Sequence, residues 1–178
     1  VHFHQNPELP NFEFETARRL AAEIRALGYE VTEGVGGTGI VAVLENGDGP
    51  TILFRADMDG LPVREDSGLP YASTATQVDE DGIEKPVMHA CGHDTHTAIL
   101  MGVAEVLSQN KDKIKGTVKF IFQPAEEGPP PGEEGGQHVE GRPVLGLAGW
   151  DLPADSKSGF GIVHYLHPPL CRLDGLSS

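Results

Sequence analysis

"His96-Thr97-Ala98-Ile99-Leu100-Met101-Gly102-Val103-Ala104-Glu105-Val106-Leu107" and, after a short basic turn, "Thr117-Val118-Lys119-Phe120-Ile121-Phe122-Gln123" decide the fold class. The first run is apolar on nearly every face, which predicts a helix buried against a sheet. The second is rich in β-branched and aromatic residues and stops at Pro124, which predicts a strand. Working outward, residues 13–28 place apolar side chains at 14, 17, 20, 21, 24 and 27, the stripe of an amphipathic helix, with Gly28 at the expected stop. Val31 to Thr32, Ile40 to Leu44 and Thr51 to Arg55 are β-prone, and "Asn46-Gly47-Asp48-Gly49" reads as a hairpin turn that pairs the last two antiparallel. Helix, strands, helix, strand predicts an α/β fold, a mixed β-sheet with flanking helices.

A chain of 178 residues fits one domain. Its texture changes from Gly128, where 17 of the last 51 residues are Gly or Pro against 20 of the preceding 127, so the tail is expected to be loop-rich. The formal net charge of −14 argues against nucleic acid or an anionic membrane as partner, and most of the surplus carboxylates are expected to form a solvated surface. Two cysteines, Cys91 and Cys171, are too few for a disulfide framework, so a reducing, cytoplasmic setting is the simpler expectation. No apolar run approaches the ~18 residues of a membrane span. The chain starts at Val1 with no visible signal peptide, and the lack of an initiator Met suggests a trimmed start.

Three segments carry candidate chemistry. "Met88-His89-Ala90-Cys91-Gly92-His93-Asp94-Thr95-His96-Thr97" concentrates metal-compatible side chains. On extended backbone Cys91 and His93 leave the same face and could grip one ion, although a buried cysteine beside a surface histidine has the same spacing. His89 and His96 are further candidates, and Asp94 or Thr95 could cap the helix that follows. "Gln123-Pro124-Ala125-Glu126-Glu127-Gly128" sets two carboxylates directly after a strand. Neighbours on extended backbone point in different directions, so one carboxylate could hold a metal while the other serves as general base; a solvated acidic loop is the alternative. In "Phe54-Arg55-Ala56-Asp57-Met58-Asp59-Gly60-Leu61-Pro62", Asp57 and Asp59 share a face and could orient ligating histidines from behind, or simply form a turn. All three lie at predicted strand ends or the start of a helix, where open α/β sheets place their sites.

Together these blocks, with "His4-Gln5-Asn6-Pro7-Glu8-Leu9" at the start, resemble the signature segments of the M20 peptidases. The resemblance is to the amidohydrolase branch, which includes aminoacylases, hippurate hydrolases and auxin-conjugate hydrolases, and it covers about residues 1–137. It implies the catalytic domain of a zinc exopeptidase, here incomplete, with residues 138–178 as a divergent Gly/Pro-rich tail. It implies Cys91, His93 and Glu127 as metal ligands, Glu126 as general base, and Asp59 as support of the metal centre. The implied cofactor is a pair of divalent ions, zinc or manganese with cobalt or nickel as alternatives, holding a bridging hydroxide. The implied substrate is a small N-acyl amino acid or peptide whose amide bond that hydroxide attacks.

The chain departs from the family pattern after Glu127. The family places a further histidine ligand at a strand end, where "Gly161-Ile162-Val163-His164-Tyr165-Leu166-His167" offers His164, with His167 as rival. The inserted dimerisation domain and the returning half of the catalytic domain do not follow, so the resemblance sets no oligomeric state. A change of reading frame near residue 138 accounts for the altered texture, with natural divergence as the alternative. Two other readings stay open: a non-catalytic metal-binding fragment, and a thiol enzyme using Cys91 with His93 or His96, which would leave the Glu-Glu block idle.

Overall fold

The computed structural model describes residues 1–128 and the strand Ile162–Val163. In chain order the elements are α1 (His2–Gln5), α2 (Phe14–Ala26), β1 (Glu30–Val35), β2 (Gly39–Asn46), β3 (Thr51–Asp57), β4 (Thr76–Val78), β5 (Glu84–Pro86), α3 (His93–Gln109), β6 (Gly116–Gln123) and β7 (Ile162–Val163), with a 3-10 turn at Lys111–Lys113. A five-stranded sheet runs β1-β2-β6-β3-β7, and β4 and β5 form a separate antiparallel pair. The sheet is mixed: β1, β2 and β6 pair antiparallel, while β3 is parallel to both β6 and β7.

This order corrects one expectation. β2 and β3 do not form a hairpin, because β6 lies between them, antiparallel to β2 and parallel to β3. Phe120, Ile121 and Phe122 are all buried, so both faces of β6 are covered and the strand needs neighbours on both sides. The segment after Asn46 crosses the start of β6 instead of turning back. Thr117 N–H donates to the Pro50 carbonyl at 3.0 Å, and a Cβ on Gly116 would meet that oxygen. The hairpin forms one step earlier, where Gly36 and Gly37, both at positive φ, connect β1 to β2.

α2 and α3 bury their stripes on one face of the sheet. Leu20, Ala21 and Ile24 of α2 and Leu100 and Ala104 of α3 join Ile40, Ala42, Leu44, Ala56, Val118, Phe120 and Phe122 in a single core. Tyr29 sets its ring edge on Phe120 at 5.4 Å and donates its hydroxyl to the Ala104 carbonyl at 2.9 Å, tying sheet to helix. Unlike the expected all-round burial, α3 leaves Ile99 and Val106 exposed, because only its stripe through residues 93, 97, 100 and 104 faces the sheet. Among the described residues no helix is long and apolar enough to cross a membrane.

Candidate metal centre

β3 and β6 run parallel, so their C-terminal ends lie side by side, and the start of α3 sits against them. Met58 N–H donates to the Gln123 carbonyl at 3.1 Å and Arg55 Nε to Gln123 Oε1 at 2.6 Å, so the two strand ends leave the sheet in a fixed relation. Thr97, on the first turns of α3, donates its hydroxyl to the Asp57 carbonyl at 2.9 Å.

α3 begins at His93, earlier than the sequence suggests, and its N-cap is Gly92 at φ +80 with no side-chain cap, in place of Asp94 or Thr95. Cys91 and His93 are therefore not on one extended segment. The left-handed glycine turns the chain between them and commits His93 to the first helical turn, with its ring 1% exposed. His93 Nδ1 lies 2.9 Å from the Asp59 main-chain carbonyl, with Asp59 Oδ1 beside it at 3.3 Å. That contact places a proton on Nδ1 and turns Nε2, the nitrogen a cation would take in place of a proton, the other way. Nε2 is buried with no hydrogen-bond partner. Glu126 Oε2 lies 3.8 Å from it and Glu127 Oε1 4.0 Å.

Two adjacent carboxylates reach one imidazole because the strand does not continue extended. Ala125 adopts φ +51, and this turn brings both side chains round to His93, where extended backbone would splay them. Asp59, 1% exposed, accepts the Glu127 N–H at 3.0 Å through Oδ2, so one buried carboxylate backs both the histidine and the acidic loop. Asn11 Nδ2 donates to the Gly128 carbonyl at 3.0 Å and closes the loop.

The electrostatics are those of a site that gathers negative charge around a cationic position. Burial lowers the His93 pKa, but Asp59, Asp57 and Glu126 outweigh it and raise the ring to about 9. Burial raises Glu126 above the ordinary glutamate range, with Asp57 and Glu127 adding to the shift and His93 opposing it. Burial likewise raises Asp57, against the Arg55 ion pair at 2.5 Å.

Of the residues expected from sequence, His93, Glu126 and Glu127 come together, each offering a ligand atom within 4.8 Å of the others. Cys91 is outside that trio and half-buried. Asp59 lies behind it, and His164 falls outside the described residues. His96 stacks on His93 with ring centroids 5.9 Å apart. His89 is buried with neither ring nitrogen hydrogen-bonded, and burial lowers its pKa to about 4. The donor set fits a divalent cation: an orphaned imidazole nitrogen and two carboxylates converge, and a histidine ligand oriented by a buried carboxylate is the usual arrangement behind a metal.

Sequence reasoning missed the ties between the blocks. His4 Nδ1 contacts Asp94 Oδ2 at 2.9 Å and Nε2 contacts Glu65 Oε1 at 3.0 Å; Gly60 N–H donates to the Glu8 carbonyl at 2.7 Å; Leu61 bridges Met88. The opening segment is thereby fixed to the loop after Asp59 and to the first turn of α3. It also missed Glu13, fully buried at the start of α2, whose Oε1 accepts the Ala125 N–H at 2.8 Å. Its position just ahead of an apolar stripe looks like any acidic helix start.

Residues 53–162 match the model of a family described as peptidase family M20/M25/M40. Thermostable carboxypeptidase 2 of Saccharolobus solfataricus is 48% identical over 126 residues, which are 70% of this chain and 30% of that protein. The hippurate hydrolase of Campylobacter jejuni is 46% identical over 127 residues, again 70% and 30% of the two chains. The crystal structure of the Bacillus subtilis YXEP protein, described as a dinuclear metal binding peptidase from the M20 family, superposes with a TM-score of 0.62 at 41% identity. The overlap covers 71% of this chain and 33% of that one. The chain spans about a third of the length of the relatives it matches.

Proposed function

The chain belongs to peptidase family M20/M25/M40, and from that premise we propose that it is the N-terminal part of a metal-dependent amidohydrolase acting on N-acyl amino acids or small peptides. The observation that carries this reading is the buried, unpartnered His93 Nε2 facing the Glu126 and Glu127 carboxylates at 3.8 and 4.0 Å. In this reading His93, Glu127 and Cys91 hold the metal, and Asp59 orients His93 while fixing the Glu127 backbone. Residues 1–137 form the part of the catalytic domain present, and 138–178 a divergent tail in which His164 is the candidate further ligand.

Divalent cations, zinc or manganese first and cobalt or nickel as alternatives, supply Lewis acidity and a lowered water pKa when bound. Glu126 takes the proton of the attacking water and returns it to the leaving amine as the carbonyl C–O bond forms and the C–N bond breaks. Its carboxylate, half-buried and 3.8 Å from His93 Nε2, stands where both halves of that transfer take place. Hippurate is an N-acylated glycine and a carboxypeptidase substrate ends in an acylated amino acid, so the two relatives share one chemical class of substrate. A second reading, a metal-binding fragment without turnover, is favoured by Cys91 lying outside the trio of His93, Glu126 and Glu127.

Metal analysis together with an assay on N-acetyl- and N-benzoyl-amino acids tests both. The expected outcome is stoichiometric metal, turnover abolished by a chelator, and a fall of about 10²–10⁴-fold in turnover for Glu126→Gln with metal retained. Metal without turnover supports the fragment reading; no metal overturns both. Alanine at His164 and at His167 in the same analysis decides whether either is a ligand.

A further inference from the structure

Glu13 occupies the N-cap position of α2, yet its side chain makes no capping hydrogen bond to that helix. Its carboxylate is fully buried and turned away, with Oε2 accepting the Thr38 hydroxyl at 2.5 Å and Oε1 accepting the Ala125 N–H at 2.8 Å, 112 residues along the chain. A buried carboxylate without a cationic partner is costly, and α2 gains nothing from it that an ordinary serine or aspartate cap would not give better. What it does hold is the one non-glycine residue at positive φ between β6 and the acidic pair, Ala125 at φ +51. An alanine resists that left-handed conformation, and its buried N–H would be orphaned without an acceptor.

We infer that Glu13 is a positioning residue for the metal centre: by accepting the Ala125 N–H it fixes the left-handed turn that aims both Glu126 and Glu127 at His93. The inference rests on the metal-site reading of those three residues. Asp59 holds the next N–H but one, that of Glu127, so the acidic loop hangs between two buried carboxylates, one at the start of α2 and one just after β3. Without Glu13 the backbone at Ala125 relaxes toward extended geometry and the two carboxylates part.

The test is calorimetric titration of the whole chain with zinc ion alone, alongside circular dichroism and thermal unfolding. Glu13→Met keeps the volume and removes the acceptor. Glu13→Gln removes the charge, but its amide oxygen can accept from Ala125 and its NH2 can donate to Thr38 Oγ1. The expected result is a loss of about 10- to 100-fold in zinc affinity for Glu13→Met, the range found when a group supporting a metal ligand is removed, and near wild-type affinity for Glu13→Gln. Should Glu13→Met fail to fold, Glu13→Asp takes its place, since the shorter side chain withdraws the carboxylate from Ala125 and the same loss is expected. Wild-type affinity in a folded Glu13→Met or Glu13→Asp protein overturns the inference and leaves the metal site standing. A Glu13→Gln protein as weak as Glu13→Met overturns it too, because charge and not the hydrogen bond would then be responsible. A wild-type chain that takes up no zinc overturns the metal-site reading, and the inference with it.

Discussion

His4 shows how single residues tie this site together. The hydrogen bond with Glu65 raises the His4 pKa above its ordinary 6.5; burial opposes the shift and Asp94 adds to it. Glu65 is held down to about 2, first by the Ser67 hydroxyl, then by the Ser73 N–H, with His4 contributing. A histidine raised in the folded state stabilises fully below its unfolded pKa and loses that contribution as pH rises through the raised value, while Glu65 stays ionised throughout. The gap in thermal midpoint between wild type and His4→Gln should therefore be widest below the ordinary value of 6.5 and narrow as pH rises through the raised His4 pKa. A gap that does not change with pH would mean that His4 acts by packing alone, against Tyr71, whose ring centroid is 5.6 Å away. At this scale the sequence exposed the residue types and their clustering. It could not expose Glu13 or Asn11, whose partners Ala125 and Gly128 are more than a hundred positions distant.

At the scale of elements, α3 starts where Gly92 allows it. The φ of +80 is open to glycine, and a Cβ there would meet nothing within 4 Å, so Gly92→Ala pays only the left-handed backbone cost, about 1–2 kcal/mol in chemical denaturation. A larger loss would show that the turn between Cys91 and His93 is sterically closed. The periodicity of α2 was legible because one stripe of its residues must be buried, and the strand character of β6 because its run is rich in β-branched and aromatic residues and stops at Pro124. The neighbours of β6 were not. A local turn signal at Asn46 to Gly49 favoured a β2–β3 hairpin, whereas the strand that arrives some seventy residues later separates them, since only a central position covers Phe120, Ile121 and Phe122 together.

For the whole molecule, site and core are one construction. The strand that carries Phe120 into the core continues through Gln123 to Glu126 and Glu127, and the helix that packs Leu100 and Ala104 begins with His93. Phe120, fully buried between Tyr29 and Phe54 with ring centroids at 5.4 and 5.3 Å, is the position where those layers meet. Phe120→Ala should cost about 3–5 kcal/mol in urea unfolding, the usual cost of emptying a buried aromatic site. A cost below about 1.5 kcal/mol would mean that the neighbours collapse into the space and that the core is less closely packed than its geometry indicates. The sequence by itself determined the α/β class, the strand ends as the place of chemistry, and the residue types that gather there, because burial periodicity and side-chain chemistry are local properties. Only the tertiary structure decided that β6 splits β2 from β3, that His93 starts a helix, and that Glu126 and Glu127 both face its Nε2. Those outcomes depend on which distant groups satisfy buried strands and backbone N–H groups, and no local pattern records that.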